Sequence, residues 1–348
     1  MKRSRTEIKS NKRGVEFITR LLLNKGKGFM NRESLLDNTI VKDVMVTDKS
    51  PYLNAYSKQC TFRDPNPAVV IISILKDLLF LLRKFEKAGP NMFYEVKRSS
   101  QFEIIETEIA SLRNPKFFIK SQTNEKTIYW LNQHEEKLSF FLNLHNFLIL
   151  YGLCKYSGLH FPKTQLEWTK FSNLVALKIA GSTYTAAEIE HAILRAVMTN
   201  PNTPSISLEE LSVYPKFGEL DLRRNLICTK KEPLLSFALY FPTVSSPSLR
   251  VYVPKKVHAQ MKTNCASYLE KTIKVSNNKT TLTLPSLLDW YSEDFIKSRT
   301  KTDYIFFVQG NATKETLKRI KGFEQSAVKQ IQFENYNWSF NYNYIEDK

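Results

Sequence analysis

The sequence predicts an α+β fold in which a helical first half packs on a small, mostly antiparallel sheet in the second half. Three observations carry that expectation. Apolar residues recur at helical spacing between residues 69 and 151, alternation at strand spacing begins only after Trp168, and Pro, Gly and Asn clusters separate the two patterns. The chain is 348 residues long, 42% hydrophobic and 12% aromatic, which is enough apolar side chain for a substantial core.

The elements follow in order. Residues 1–63 form a basic leader, with helical character over Gly14–Leu23, a turn-rich Asn24–Gly28 and a polar stretch to Ser50-Pro51. Asp64-Pro65-Asn66-Pro67 is a breaker cluster, and the main domain, residues 64–348, begins there. Val69, Ile72, Leu75, Leu79 and Leu82 recur at helical spacing up to Gly89-Pro90. A second helix places Phe102, Ile105, Ile109 and Leu112 on one face and ends at Asn114-Pro115. A third runs from Glu135 to Tyr151, with Gly152 as its C-terminal cap.

Beyond Trp168, Val175–Ile179 alternates like a strand, Ala180-Gly181-Ser182 is a turn, and Thr185 with Glu188 three residues on caps a helix to Met198. Asn200–Lys230 is loop-like. Leu235–Phe241 and Ser248–Val253 are β-type runs on either side of a Pro242–Pro247 turn, and Lys255–Leu269 returns to helix.

Composition excludes several classes. The formal net charge is +17, but residues 1–27 carry nine Lys/Arg against only Glu7 and Glu16, so the charge is concentrated in the arm and the body is mildly basic. Cys60, Cys154, Cys228 and Cys265 make no CxxC pair and no Cys/His spacing suited to zinc, so neither disulfides nor a metal site is expected, and no cofactor is implied. The start, Met1-Lys-Arg-Ser-Arg5, leads into more charge and not into an apolar signal segment. The apolar runs Val69–Leu82 and Leu138–Tyr151 are broken by Lys76-Asp77 and by Asn143, His145 and Asn146, short of the ~18 residues a bilayer span needs. A cytoplasmic protein is expected, with nuclear import as an option of the arm.

Four ordered stretches have a more specific character. They are Leu138–Gly152 with its Asn143, His145 and Asn146; Tyr184–Arg195, reading Glu188-Ile-Glu-His191-Ala-Ile-Leu-Arg195; Phe237–Tyr252; and Leu284–Phe295 together with Tyr336–Asn341. In this order they resemble the eukaryotic branch of the domain of unknown function 547 family over roughly residues 64–341. The leader is similar to the tail of a DEP domain, the winged-helix module fused to this family in some eukaryotes.

The resemblance implies a thiol-hydrolase-like fold. Family members carry two cysteines where this chain has Phe241 and Ser246, a histidine where it has His191, and an aspartate where it has Asn337. A nucleophilic thiol needs an imidazole to hold it as thiolate, and the imidazole needs an acceptor to fix its tautomer. With Phe241, Ser246 and Asn337 at the other positions, His191 alone is retained. Tyr240 and Pro242 rebuild the turn, and Pro242 removes an amide proton that could serve an oxyanion.

No catalytic residue is therefore assigned with assurance, and His191, Ser246 and Asn337 are vestigial candidates expected to converge in space. Asn143, Asn146, Arg195 and Arg250 are candidates for binding. The two amides read first as architecture tying helix to sheet, and the two arginines either pair with Glu188 or Glu190 or bind an anion. The expected function is a non-catalytic binding or scaffold protein with a protein partner. The alternatives are a hydrolase using Ser246 and His191, and an adaptor whose arm, residues 1–27, contacts nucleic acid or an anionic surface.

Overall fold

The computed structural model describes residues 66–123, 126–157, 161–202, 214–278, 280–321 and 330–341. The basic leader, with its DEP-like reading, lies outside them. The described residues form an α+β fold, as the sequence predicts.

Helix α1, Pro67–Lys84, starts where the Asn66 side chain accepts from the Ala68 amide at 3.0 Å, and Pro67 occupies the first turn, where its missing N–H has no cost. Its buried face is Ile71, Ile74, Leu75, Leu78, Leu81 and Leu82, while Val69 is exposed. The face is thus rotated from the one the spacing suggests, because apolar residues nearly encircle the helix and few polar ones, Ser73, Lys76 and Asp77 in its middle, mark its outer side. Helices α2, Met92–Arg98, and α3, Ser100–Ser111, follow, with Ser99 capping the latter through the Phe102 amide. Strands β1, Ile119–Gln122, and β2, Thr127–Tyr129, form an antiparallel hairpin.

The centre of the structure is α4, His134–Lys155, in which every residue from Leu138 to Cys154 is buried. It is long and apolar enough to cross a membrane by composition, but 94% of its apolar window is buried against the rest of the chain, as befits a core helix hydrophobic all round. Gly152 does not end it. The helix continues a further turn, and the glycine is there because a Cβ would meet Val175 Cγ1 at 2.5 Å.

Helix α5, Gln165–Leu174, begins with a capping box between Thr164 and Glu167. Strands β3, Ala176–Ile179, and β4, Ser182–Thr185, pair antiparallel across Ala180 and Gly181, whose φ values of 48° and 84° are those a two-residue type I′ turn requires. The expected Thr185–Glu188 capping box opens α6, Ala186–Glu188, which widens at once into a π-helical segment, Ile189–Leu194.

The expected strands at 235–241 and 248–253 are not strands. Leu235–Phe237 is a single 3₁₀ turn, and the residues that follow run irregularly to Tyr252. Their β-type composition reflects burial, and their backbone groups find partners other than a strand. Asn143 donates from Nδ2 to the Tyr252 carbonyl at 2.7 Å and accepts from the Tyr252 amide at 2.8 Å. Asn146 likewise donates to the Ala238 carbonyl at 3.1 Å and accepts from the Tyr240 amide at 3.0 Å. Asn264, on α7, Val257–Thr272, donates to the carbonyls of Phe237 and Ser248. The Asn143 and Asn146 carboxamides copy the donor–acceptor pair of a peptide unit, and Asn264 adds two donors from α7, so the two helices hold the 237–252 segment much as a neighbouring strand would.

Beyond α7 lies the second apolar cluster, around Cys265, Leu269, Leu284 and Val308, while the first surrounds α4. It contains β5, Lys274–Val275, β6, Thr281–Pro285, α8, Ser286–Trp290, α9, Lys301–Asn311, α10, Lys314–Ile320, and β7, Gln330–Glu334. In this three-stranded sheet β5 pairs antiparallel with β6, and β6 pairs parallel with β7. Leu234 packs against both clusters.

The amide pairing gives a direct test. Asn143→Leu keeps side-chain volume but leaves the buried Tyr252 N–H and C=O without partners. At about 1–3 kcal/mol for each unsatisfied group, urea unfolding should register a loss of about 2–6 kcal/mol. A loss below about 0.5 kcal/mol would mean that the segment finds other partners.

Candidate functional site

The retained histidine lies on a small cavity of about 70 Å³, room for several waters. One wall is α5, through Trp168, Thr169 and Ser172; a second is the π-helical segment, through Glu190 and His191; Phe241, Trp290 and Trp338 close the others. Stretches of chain as far apart as Trp168 and Trp338 therefore build it. The π-helical widening is closed by the Arg195 amide donating to the Glu190 carbonyl at 2.8 Å, and wide turns of this kind often occur at functional sites.

His191 is buried, with its ring edge-on to Tyr214 at 4.6 Å. Its Nδ1 makes no hydrogen bond, and the indole Nε1 of Trp168, another wall residue, makes none either. Burial, reinforced by the nearby Arg195 and Lys216 charges, holds the imidazole well below the usual histidine range, so it is neutral at physiological pH. The nearest carboxylate oxygen is Glu190 Oε1, 3.7 Å from Nε2, beyond hydrogen-bond reach. The ring lacks the acceptor on Nδ1 that fixes the tautomer of a general base.

Glu190 sits at the centre of a buried polar group. Its Oε2 is 3.8 Å from His145 Nε2, and its Oε1 accepts from the Tyr291 hydroxyl at 3.3 Å. Burial raises its carboxyl to about 7, against the opposing pull of Arg195 and Tyr291, and burial lowers His145 to about 4. Arg195 pairs with neither Glu188 nor Glu190. Its guanidinium forms a bidentate ion pair with Asp294, 2.7 Å on each arm, donates to the Thr199 carbonyl and lies over the Tyr291 ring at 4.6 Å. Burial works against that charge, and the Asp294 carboxylate more than restores it. Glu188 instead completes the Thr185 capping box and meets Arg223.

Ser246 and Asn337 occupy adjoining turns. The Ser246 hydroxyl accepts from the Phe241 amide at 3.0 Å, which staples the turn containing Pro242. The Asn337 amide donates to Ser245 Oγ at 2.9 Å, its carbonyl accepts from the Ser245 amide, and its side-chain oxygen accepts from the Ser339 amide. Neither side chain is among the described residues that line the His191 cavity; their neighbours Phe241 and Trp338 are. Asn143 and Asn146 are committed to the backbone of the 237–252 segment, and Arg250 donates from Nε to Asn264 Oδ1 at 2.9 Å. The sequence analysis missed the aromatic lining, Trp168, Trp290 and Trp338. Trp290 and Trp338 sit in stretches already singled out, but nothing in their spacing marks them as neighbours, 5.9 Å apart and stacked with Tyr336.

The raised Glu190 carboxyl has a consequence for stability. Its ordinary value is 4.5 and its folded value about 7, so between these the folded chain holds a proton that the unfolded chain has released. Stability from this group is present at low pH and lost as pH rises through about 7. Glu190→Gln is neutral throughout, so its stability relative to the natural chain should be greater at about pH 8 than at about pH 5, by on the order of 1–3 kcal/mol in urea titrations. His145 and His191 titrate in the opposite sense but are shared by both chains. A difference that does not change with pH would show Glu190 to be as well solvated folded as unfolded.

Residues 121–269 match the model of the family described as protein of unknown function, DUF547. The match takes in α4 with its asparagines, His191, Phe241, Ser246 and Arg250, and stops short of Asp294, Asn337 and Trp338. No curated protein and no solved structure matches the chain. Over residues 121–269, then, the chain carries a domain of the DUF547 family.

Proposed function

We propose that this chain is a non-catalytic binding protein, in which a hydrolase-like site has been converted into an aromatic-walled cavity. The observation that carries the reading is Phe241. It stands where the family resemblance implies the first of two cysteines, on the same cavity as His191, and its ring packs edge-on against Trp168 and His145, each at 5.6 Å. A phenyl ring there offers contact area and no nucleophile.

The other groups at the cavity support the same reading. The Ser172 and Thr169 hydroxyls donate to the carbonyls of Trp168 and Gln165 at 2.9 Å each, an arrangement that binds them to their own helix. Cys154, Cys228 and Cys265 are buried in the apolar clusters, where burial pushes each thiol up, Cys228 and Cys265 to about 12. Such thiols are inert. The uncommitted Nδ1 of His191 and Nε1 of Trp168 suit non-covalent recognition of a small polar group framed by aromatic rings.

Activity-based probes test the proposal. Fluorophosphonate and thiol-directed probes should leave Ser246 and the cavity residues of the natural protein unlabelled, while Phe241→Cys, which restores a thiol beside His191, should become reactive. Labelling of the natural protein at Ser246 that His191→Ala abolishes would replace the binding reading with the hydrolase one.

A further inference from the structure

His134, Glu232 and His258 come from three separate stretches of chain and meet at one point. His134 is the first residue of α4, His258 the second of α7, and Glu232 lies in the irregular segment ahead of Leu235. Glu232 Oε1 is 2.6 Å from His134 Nε2 and 3.1 Å from His258 Nε2, and the three donor atoms all lie within 4.8 Å of one another. The imidazoles are nearly parallel, 14° between planes with centroids 6.3 Å apart, so both Nε2 atoms converge on the same carboxylate oxygen. The His134 and Glu232 side chains are each 8% exposed, and that of His258 is 52% exposed.

We propose that His134, Glu232 and His258 form a binding site for a divalent transition-metal ion, zinc foremost, with a coordination position open to the adjoining cleft. The donor chemistry selects the ion. Two imidazoles and a carboxylate suit zinc and its first-row neighbours, whereas magnesium and calcium prefer oxygen-only shells. The geometry is close to what such an ion needs. Donors about 2.0–2.2 Å from a tetrahedral ion stand roughly 3.3 Å apart, so the two Glu232 separations require adjustments of under about 1 Å and that between the imidazole nitrogens, within 4.8 Å, of at most about 1.5 Å. Burial of Glu232 and His134 fixes two ligands in advance, and the half-exposed His258 leaves an entry path.

The surrounding charges bear on affinity. Glu135 interacts electrostatically with both imidazoles and adds negative charge beside the site, while Lys230, which interacts with Glu135, opposes a second cation. Three protein ligands leave a fourth position, the arrangement of sites that bind water or a further molecule rather than serving structure alone. Glu232 and His258 both line a cleft of about 550 Å³ whose walls also include Glu293, Asp294, Phe295 and Asn311. A bound ion would join the starts of α4 and α7 to the segment that leads into the amide-held 237–252 stretch. The ligands are 98 and 26 residues apart in pairs with Glu232, so no local spacing betrays them.

The test is calorimetric titration of the chelator-treated full-length chain with Zn²⁺ alone, and with Mg²⁺ alone in parallel. The expected result is one equivalent of Zn²⁺ bound and no Mg²⁺, with affinity reduced at least about 100-fold by Glu232→Gln and by His258→Gln, since even outer-shell changes at such sites cost about 10–100-fold. His258 is half exposed, so its substitution is compatible with the native fold, which circular dichroism of both variants verifies. Cobalt(II) substitution supplies a second readout, intense visible bands of a four-coordinate ion that the His258 variant loses. Absence of Zn²⁺ binding by the natural chain, or binding that both variants retain unchanged, overturns the proposal.

Discussion

Asn143 and Asn146 couple the most buried of the described helices to an irregular segment whose strand-like pairing is limited to the Thr243–Phe340 bridge, and the rest of the site depends on that coupling. A helix hydrophobic on every side is a good core but a poor organiser, because apolar contacts are non-directional. Two carboxamides spaced by three residues lie on one face of α4 and supply direction: each presents one donor and one acceptor to a backbone it must align with. Asn264 adds two donors to the same segment from α7, to the Phe237 and Ser248 carbonyls. The 237–252 segment is thereby clamped from two helices at Phe237–Ala238, Tyr240, Ser248 and Tyr252. Phe241 follows immediately after a clamped residue, so its placement on the His191 cavity is dictated from the core. Misplaced amides would leave buried polar groups unsatisfied on both sides, which makes the register costly to change.

The same logic explains which parts of the fold the sequence reveals. Helix starts are local: Asn66, Ser99, Thr164 and Thr185 each cap the turn they precede, and their spacing to the next acidic or apolar residue is visible within four positions. The Ala180-Gly181 turn is local too. The segment at 235–253 misleads because apolar and β-branched residues signal burial, and burial alone does not say whether a neighbouring strand or a row of amides will meet the backbone. Gly152 misleads for a related reason. Its role is close packing against Val175, a residue 23 positions on, rather than termination of its own helix.

At the candidate site the family motif points to His191, on the π-helical segment beside a small cavity, and to the Phe241–Ser246 turn. What it could not provide is the side chain at each wall. Ser246 and Asn337 hold positions in adjoining turns, each fixing backbone, while the residues beside them in sequence, Phe241 across the turn and Trp338, face the cavity. Which neighbour points inward is decided by packing, and the order of the motifs does not carry it.

The chain concentrates its buried charge on one side of this cavity, and the arrangement favours rigidity over proton transfer. Arg195 and Asp294 neutralise each other by a bidentate pair, with Tyr291 stacked on the guanidinium, so their charges are fixed. Glu190 and the two histidines, His145 and His191, are pushed by burial toward their neutral forms. A catalytic base needs a charged or readily charged partner within hydrogen-bond reach, and here each nearby carboxylate oxygen stands 3.7 Å or more from the imidazole nitrogens. Neutral groups in a buried pocket raise no large barrier to an uncharged ligand and give little to a developing charge. A cavity built in this way is suited to hold a molecule, with Phe241 and the tryptophans supplying contact and the unpartnered nitrogens supplying orientation.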